Sequence, residues 1–214
     1  MNWIFPKSMI NGIEIVEISM RYNRIFVAIK LSNNALGQIH LISNYLDNRI
    51  IRKVKSNNLH MTLCFLGNVN SCQIELLQLQ LITKLKKCLP FVLSLSEIGV
   101  FPHSDNTKIV WLGVKGEIGK LHHLQSEVGK VIDGLNLPVR NDGFTPHITL
   151  GRVKCGNNVK QDEVFSCNIK VIEKIVSASP SFEIKSVAIF NSVSSKNGHQ
   201  YKEINSIYLK PQTC

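Results

Sequence analysis

Two short stretches far apart in the chain read alike: Leu59-His60-Met61-Thr62-Leu63 and Pro146-His147-Ile148-Thr149-Leu150. Each runs His, apolar, Thr, Leu inside a segment patterned as a half-buried β-strand. With seven His and six Thr in the chain, chance placement gives roughly 0.2 H-x-T triplets, so two with matching flanks point to an internal repeat. The chain is therefore constrained to two similar halves, each holding one such strand.

The remaining pattern agrees. In the first half Arg24 to Leu31 and Leu59 to Leu66 read as strands, the latter closed by Gly67 and Asn68. Between them Ser32 to Asn34 cap a helix with the stripe Leu36, Ile39, Ile42, Leu46, and Ser71 caps a second with Ile74, Leu77, Leu81, Leu85. Strands over Phe91 to Ile98 and Lys108 to Val114 follow, separated by a loop containing Pro102. In the second half Leu121, Leu124, Val128, Val131 and Leu135 mark a helix and Phe144 to Val153 a strand. A helix over Val164 to Ile175 and strands over Phe182 to Val193 and Tyr201 to Leu209, turning at Asn197-Gly198, complete the chain. With no low-complexity linker, these elements predict an α+β fold of two closely packed, pseudo-symmetric lobes, each an antiparallel sheet with helices outside and an active cleft between. Residues 24–211 are expected to form this domain and residues 1–23 an N-terminal extension, with the native start expected closer to Met20.

Strand parity gives the repeat a chemical meaning. Residues two apart lie on one face, ~6.5 Å from each other, so His60 shares a face with Thr62, and His147 with Thr149. Leu59, Met61, Leu63, Ile148 and Leu150 point the other way, and Cys64 and Gly151 are the next, small residues on the polar faces. Two such strands facing one cleft supply two imidazoles and two hydroxyls around a phosphate-sized group. One neutral imidazole can take a proton from an attacking water while a protonated one gives a proton to the leaving oxygen, and the hydroxyls donate to the non-bridging oxygens. Imidazoles titrate near ~6.5, so both states are accessible near neutrality. Taken singly, a strand His is usually just exposed or hydrogen-bonded and a strand Thr a good strand former; the pairing makes the functional reading the stronger one.

Lys and Arg number 25 against 15 Asp and Glu, a formal charge of +10, which favours a polyanionic partner. Lys53 and Lys55 stand just before the first motif, where they can meet the phosphates of such a polyanion, although a solvated role is the commoner one for surface lysines. The six cysteines form no C-x-x-C pair and no Cys/His cluster has metal spacing, so neither a disulfide framework nor a metal or other cofactor is expected, and a reducing cytoplasm is the simplest home. No apolar run approaches the ~20 residues of a spanning helix, so no membrane partner is expected. His122-His123 read as solvated, and Trp111 as core rather than cleft floor.

At RIFVAIKL (Arg24 to Leu31), NNLHMTLCFLG (Asn57 to Gly67), IGVFPHSDNTKIVWLGVK (Ile98 to Lys115) and FTPHITLGRVK (Phe144 to Lys154) the chain resembles the two-histidine (2H) phosphoesterase superfamily. The closer resemblance is to bacterial and archaeal RNA 2',3'-cyclic phosphodiesterases, long called 2'-5' RNA ligases. It departs from them at Arg140 to Phe144 (RNDGF), a longer approach than the family's Arg-x-Phe. The resemblance implies that His60, Thr62, His147 and Thr149 are catalytic, with His60 as general acid and His147 as general base, a reversed assignment staying open. It further implies that Arg152 binds phosphate and that Phe65, at the same offset from its His, meets a nucleobase. An offset of five lands on the core face of a regular strand, so both roles require a bulge or a strand end. The implied substrate is RNA with a 2',3'-cyclic phosphate end, tRNA fragments among the candidates, opened to a 2'-phosphate without metal by a monomer, with weak 2'-5' ligation as a side activity. The alternatives are a 2',5'-oligonucleotide or small cyclic-nucleotide phosphodiesterase of the same fold, and a non-catalytic RNA-binding module.

Overall fold

The structure is a computed structural model and describes residues 7–10, 13–16, 22–139, 143–154, 159–165, 168–195 and 198–210. Met20, Arg140 and Asn197, named above, lie outside the described residues.

The strands β1 (Lys7–Ile10) and β2 (Ile13–Val16) pair with each other in a separate two-stranded sheet among the described residues. The chain then runs through β3 (Tyr22–Lys30), α1 (Asn33–Ser43), β4 (Ile51–Lys53), a 3-10 turn at Ser56–Asn58, β5 (His60–Asn70) and α2 (Ser71–Leu85). There follow β6 (Phe91–His103), β7 (Asn106–Gly116), α3 (Ile118–Gly134), β8 (His147–Val153), α4 (Gln161–Phe165) and α5 (Ile169–Ser177). The last strands are β9 (Phe182–Ile184), β10 (Ser186–Ser195) and β11 (Gly198–Tyr208).

The α+β architecture with paired halves is as the sequence predicts, but the two sheets are joined. One antiparallel sheet runs β11-β10-β3-β5-β8-β7-β6-β9, with β4 added on β8. The quartet β11-β10-β3-β5 is one lobe and β9-β6-β7-β8 the other, and the two motif strands meet at the centre through the pair Met61↔Ile148. The main core lies on the sheet face covered by the helices. Ile25, Val27 and Ile29 of β3 enter it, with Ile74, Leu77, Leu81 and Leu85 of α2 and Leu121, Leu124, Val128 and Val131 of α3. Each such side chain contributes about 1.5–3 kcal/mol on burial. Alternate residues of β3 build a second, smaller cluster on the opposite face, where Phe26 and Ala28 pack on Ala188 and Phe190.

Several boundaries move for local reasons. Gly67, at a positive φ of 77°, lets β5 continue to Asn70 instead of ending. Asn70 rather than Ser71 caps α2, in a reciprocal pair with Gln73. Pro102 lies inside β6, not in a loop, and the expected helix over Val164 to Ile175 is two short ones, α4 and α5. The strand β4 is too short and charged to leave a periodic signal.

Candidate active site

The antiparallel pair Met61↔Ile148 sets the register of the motif strands: His60 falls opposite Thr149 and Thr62 opposite His147. Met61 and Ile148 are fully buried, whereas the four polar residues are half-buried on the other face. They form a rectangle with the two histidines on its diagonal, a spacing of ~7–8 Å between backbones in an antiparallel ladder.

Each imidazole is fixed in the same way. His60 Nδ1–H donates to the carbonyl of Asn58 at 2.6 Å, and His147 Nδ1–H donates to the carbonyl of Thr145 at 2.7 Å. Both carbonyls lie two residues before the ring, so the two halves repeat not only a motif but a tautomer: Nδ1 carries the proton and Nε2 keeps its lone pair for the cleft. On His60 that lone pair accepts from the Thr62 hydroxyl at 3.1 Å.

Aromatic rings hold each imidazole from the neighbouring strands. His60 packs against Phe26 at 4.9 Å and edge-on to Tyr201 at 5.1 Å. His147 meets Phe101 edge-on at 5.2 Å and Trp111 at 6.3 Å, and Phe101 stacks on Trp111. Trp111 is thus half-buried on the cleft face, not a core residue as expected. It lies flat because Gly99 opposite it has no side chain: a Cβ there would overlap the indole. Burial among rings lowers His60 to about 4; the hydrogen bond to Asn58 opposes the shift and the nearby charge of His147 adds to it.

The bulge that Phe65 and Arg152 require is present in both strands. In β5, Val27 faces Cys64 while Ala28 faces Thr62, leaving Leu63 extra. In β8, Val110 faces Gly151 while Trp111 faces Thr149, leaving Leu150 extra. The extra residue turns the next one inward, so Cys64 is buried in the core and Gly151 packs against Ile51. This corrects the regular-strand expectation that those two small residues flank the polar group. It also returns Phe65, 49% exposed, and the exposed Arg152 to the face of the histidines. Phe65 borders a cavity of about 640 Å³ that opens from Thr62 and His147 toward α3, lined also by Phe101, Gln125 and Phe144. Gln125 is oriented there by its contact with Cys64 Sγ at 3.8 Å.

The lysines before the first motif fare differently. Lys53 pairs with Gly151 on the inward side of β8, where partial burial lowers its ammonium pKa. The residue of β4 on the cleft side is Arg52, opposite Arg152. Lys55 is exposed at the start of the 3-10 turn. Sequence reasoning missed Asn58, which besides accepting from His60 is locked to β11: its Nδ2 donates to the His199 carbonyl at 2.8 Å and its Oδ1 accepts from the Tyr201 amide at 3.2 Å. A polar residue two before the His was the available signal, but the partner lies at the other end of the chain.

Two imidazoles with their lone pairs toward one cleft, each beside a threonine of the opposite strand, stand between pseudo-symmetric lobes, an arrangement that can take a proton on one side and give one on the other. The chain belongs to the 2'-5' RNA ligase superfamily, whose sequence pattern matches residues 48–192. It is 29% identical over 194 residues to the RNA 2',3'-cyclic phosphodiesterase of Aquifex aeolicus, spanning 89% of this chain and 99% of that protein. It is 28% identical over 183 residues to the protein of the same name from Methanocaldococcus jannaschii, spanning 85% and 98%. In fold it is similar to E. coli LigT complexed with 3'-AMP, with a TM-score of 0.64, 23% identity and coverage of 88% of this chain and 98% of that one. TT0787 of Thermus thermophilus superposes with a TM-score of 0.70 at 19% identity, covering 89% and 100%.

Proposed function

We propose that this chain is an RNA 2',3'-cyclic phosphodiesterase that opens a terminal cyclic phosphate to a 2'-phosphate by two-histidine acid–base catalysis, with His60, Thr62, His147 and Thr149 as its catalytic residues. The observation that carries the reading is the crossed His/Thr rectangle with both Nδ1 protons tied to backbone carbonyls, which leaves both Nε2 atoms for proton transfer. The relatives' names support the substrate. A water attacks phosphorus, the P–O3' bond breaks, one imidazole takes the water's proton and the other gives a proton to the departing O3'. Thr62 and Thr149 donate to the non-bridging oxygens, where charge builds in the transition state. Phe65 stacks on the terminal base in the cavity beside it, and Arg152 binds RNA phosphate.

The resemblance gives His60 the acid role, but its burial among rings favours the reverse. Burial keeps the His60 ring neutral near neutral pH, with its lone pair available to accept a proton, so His60 is the base, which leaves the acid's role to His147. Turnover of a cyclic-phosphate oligonucleotide should persist in EDTA and be lost in His60→Ala and His147→Ala; folded variants of both that keep near-wild-type rates would overturn the mechanism. A substrate with sulfur in the bridging 3' position leaves without a proton. It should restore rate to His147→Ala and not to His60→Ala, and rescue of the opposite variant would reverse the roles. Turnover of 2',5'-linked oligonucleotides in preference, or RNA binding without turnover, would favour the two other readings.

A further inference from the structure

We propose that Arg52 and Arg152 form a two-guanidinium clamp for the internucleotide phosphate next to the cyclic end, so that the cleft prefers the end of an RNA strand to a cyclic mononucleotide. The proposal rests on the phosphodiesterase reading and extends it to a residue of β4.

Arg52 and Arg152 stand directly opposite in the β4–β8 ladder. Directly paired residues share a face with their Cβ atoms ~4.5–5.5 Å apart, and like charges so placed are destabilising. Neither guanidinium has a carboxylate to offset this among the described residues. By contrast Arg49 is held by Asp47, Lys30 by Glu203, and Lys84 and Lys130 by Glu127. Both arginines are exposed. Two guanidiniums on directly paired positions, neither of them ion-paired among the described residues, are complementary to a phosphate, which can accept from both forks at once.

The pair is held firmly and in the right place. The Val54 amide donates to the Leu150 carbonyl at 2.8 Å and the Lys154 amide to the Ile50 carbonyl at 3.0 Å, which brackets the short β4–β8 ladder on both sides. Gly151 lets β4 come this close, because a Cβ there would run into Ile51 Cγ2 and stand 3.2 Å from the Arg52 carbonyl oxygen. Along β7, Trp111 pairs with Thr149 and Ile109 with Arg152, so Thr149 and Arg152 share the cleft face. They are three residues apart with one in the bulge, ~7–10 Å at strand rise, about one nucleotide step from the reacting phosphate. The cavity beside Phe65 opens at the other end of the rectangle, by Thr62 and His147. A strand therefore crosses the site with its last base at Phe65 and its preceding phosphate at the arginines.

The test compares uridine 2',3'-cyclic phosphate with a trinucleotide ending in the same cyclic uridine. Wild type should prefer the trinucleotide. Arg52→Ala should lower kcat/KM on the trinucleotide by on the order of 10- to 100-fold, the range of a charge-assisted hydrogen bond, and by far less on the mononucleotide. Arg52→Lys should recover only part, and the log–log salt slope of trinucleotide binding should fall by ~0.7. Arg49→Ala, which removes an equal charge nearby but one paired to Asp47, should not reproduce the effect. Equal losses on both substrates, no loss, or the same loss in Arg49→Ala would overturn the clamp. Failure of the underlying reading looks different: wild type would turn over neither substrate. Thermal unfolding of Arg52→Ala keeps a folding defect separate, since relief of the like-charge pair should leave Tm unchanged or raised.

Discussion

Replacing His60 by Gln measures how much the fold disfavours a charge at the centre of the site. In the folded protein this ring is lowered from 6.5 to about 4, chiefly by burial among Phe26, Phe190 and Tyr201. In the unfolded chain it titrates near ~6.5. Between these values the unfolded state binds a proton that the folded state refuses, so stability is full above ~6.5 and falls as pH drops toward ~4. A gap of about 2.5 pH units at ~1.4 kcal/mol each sets a ceiling of ~3.5 kcal/mol. Solvent reaching the half-buried ring brings the expected loss to about 2 kcal/mol. Urea unfolding of wild type and His60→Gln at about pH 7.5 and about pH 4.5 isolates this share, because other titrating groups cancel in the difference. The stability of wild type relative to the variant should fall by about 2 kcal/mol on acidification. A difference that stays level over that range would mean that the ring is not held neutral by its surroundings, and the assignment of His60 as base would lose its physical ground.

Two further substitutions test the supports of the site. Asn58→Ala removes both side-chain hydrogen bonds to β11 and should cost about 1–2 kcal/mol in denaturant unfolding. It should lower kcat more than it raises KM, because the His60 anchor loosens; an effect on KM alone would speak against a positioning role. Gly151→Ala places a Cβ against Ile51 Cγ2 and should destabilise by ~1–3 kcal/mol. Combination with Ile51→Ala should recover part of that cost, whereas strict additivity in the double-mutant cycle would show that the contact is not the cause.

Much of the site was legible because its chemistry is local. The H-x-T spacing puts a ring and a hydroxyl on one face of any strand, and the repetition of the motif implied two such strands. The lengths of α1, α2 and α3 followed from apolar stripes that became the main core. Less legible were features that depend on a partner strand. Bulges at Leu63 and Leu150 change no composition and no period, yet they decide that Phe65 and Arg152 stand exposed on the face of the histidines while Cys64 and Gly151 are buried. Trp111 reads as core in IVWLGV because the sequence does not reveal that Gly99 leaves it a flat bed on the other face. Lys53 drew attention for its charge, but the β4–β8 pairing turns it inward and brings out Arg52 instead.

By itself the sequence determined the candidate groups of the site, their pairing into His and Thr, and the two-lobed α+β class, since each of these depends on side-chain type and on a period of two or 3.6 along one segment. Only the tertiary structure decided what those groups face. The single pair Met61↔Ile148 crosses the two motifs so that each His stands beside the other strand's Thr. The carbonyls of Asn58 and Thr145 set both tautomers, and rings from β3 and β11 set the cost of charging His60. Register, tautomer and desolvation depend on atoms brought near from distant parts of the chain, and strand patterning carries no record of which strand will lie alongside.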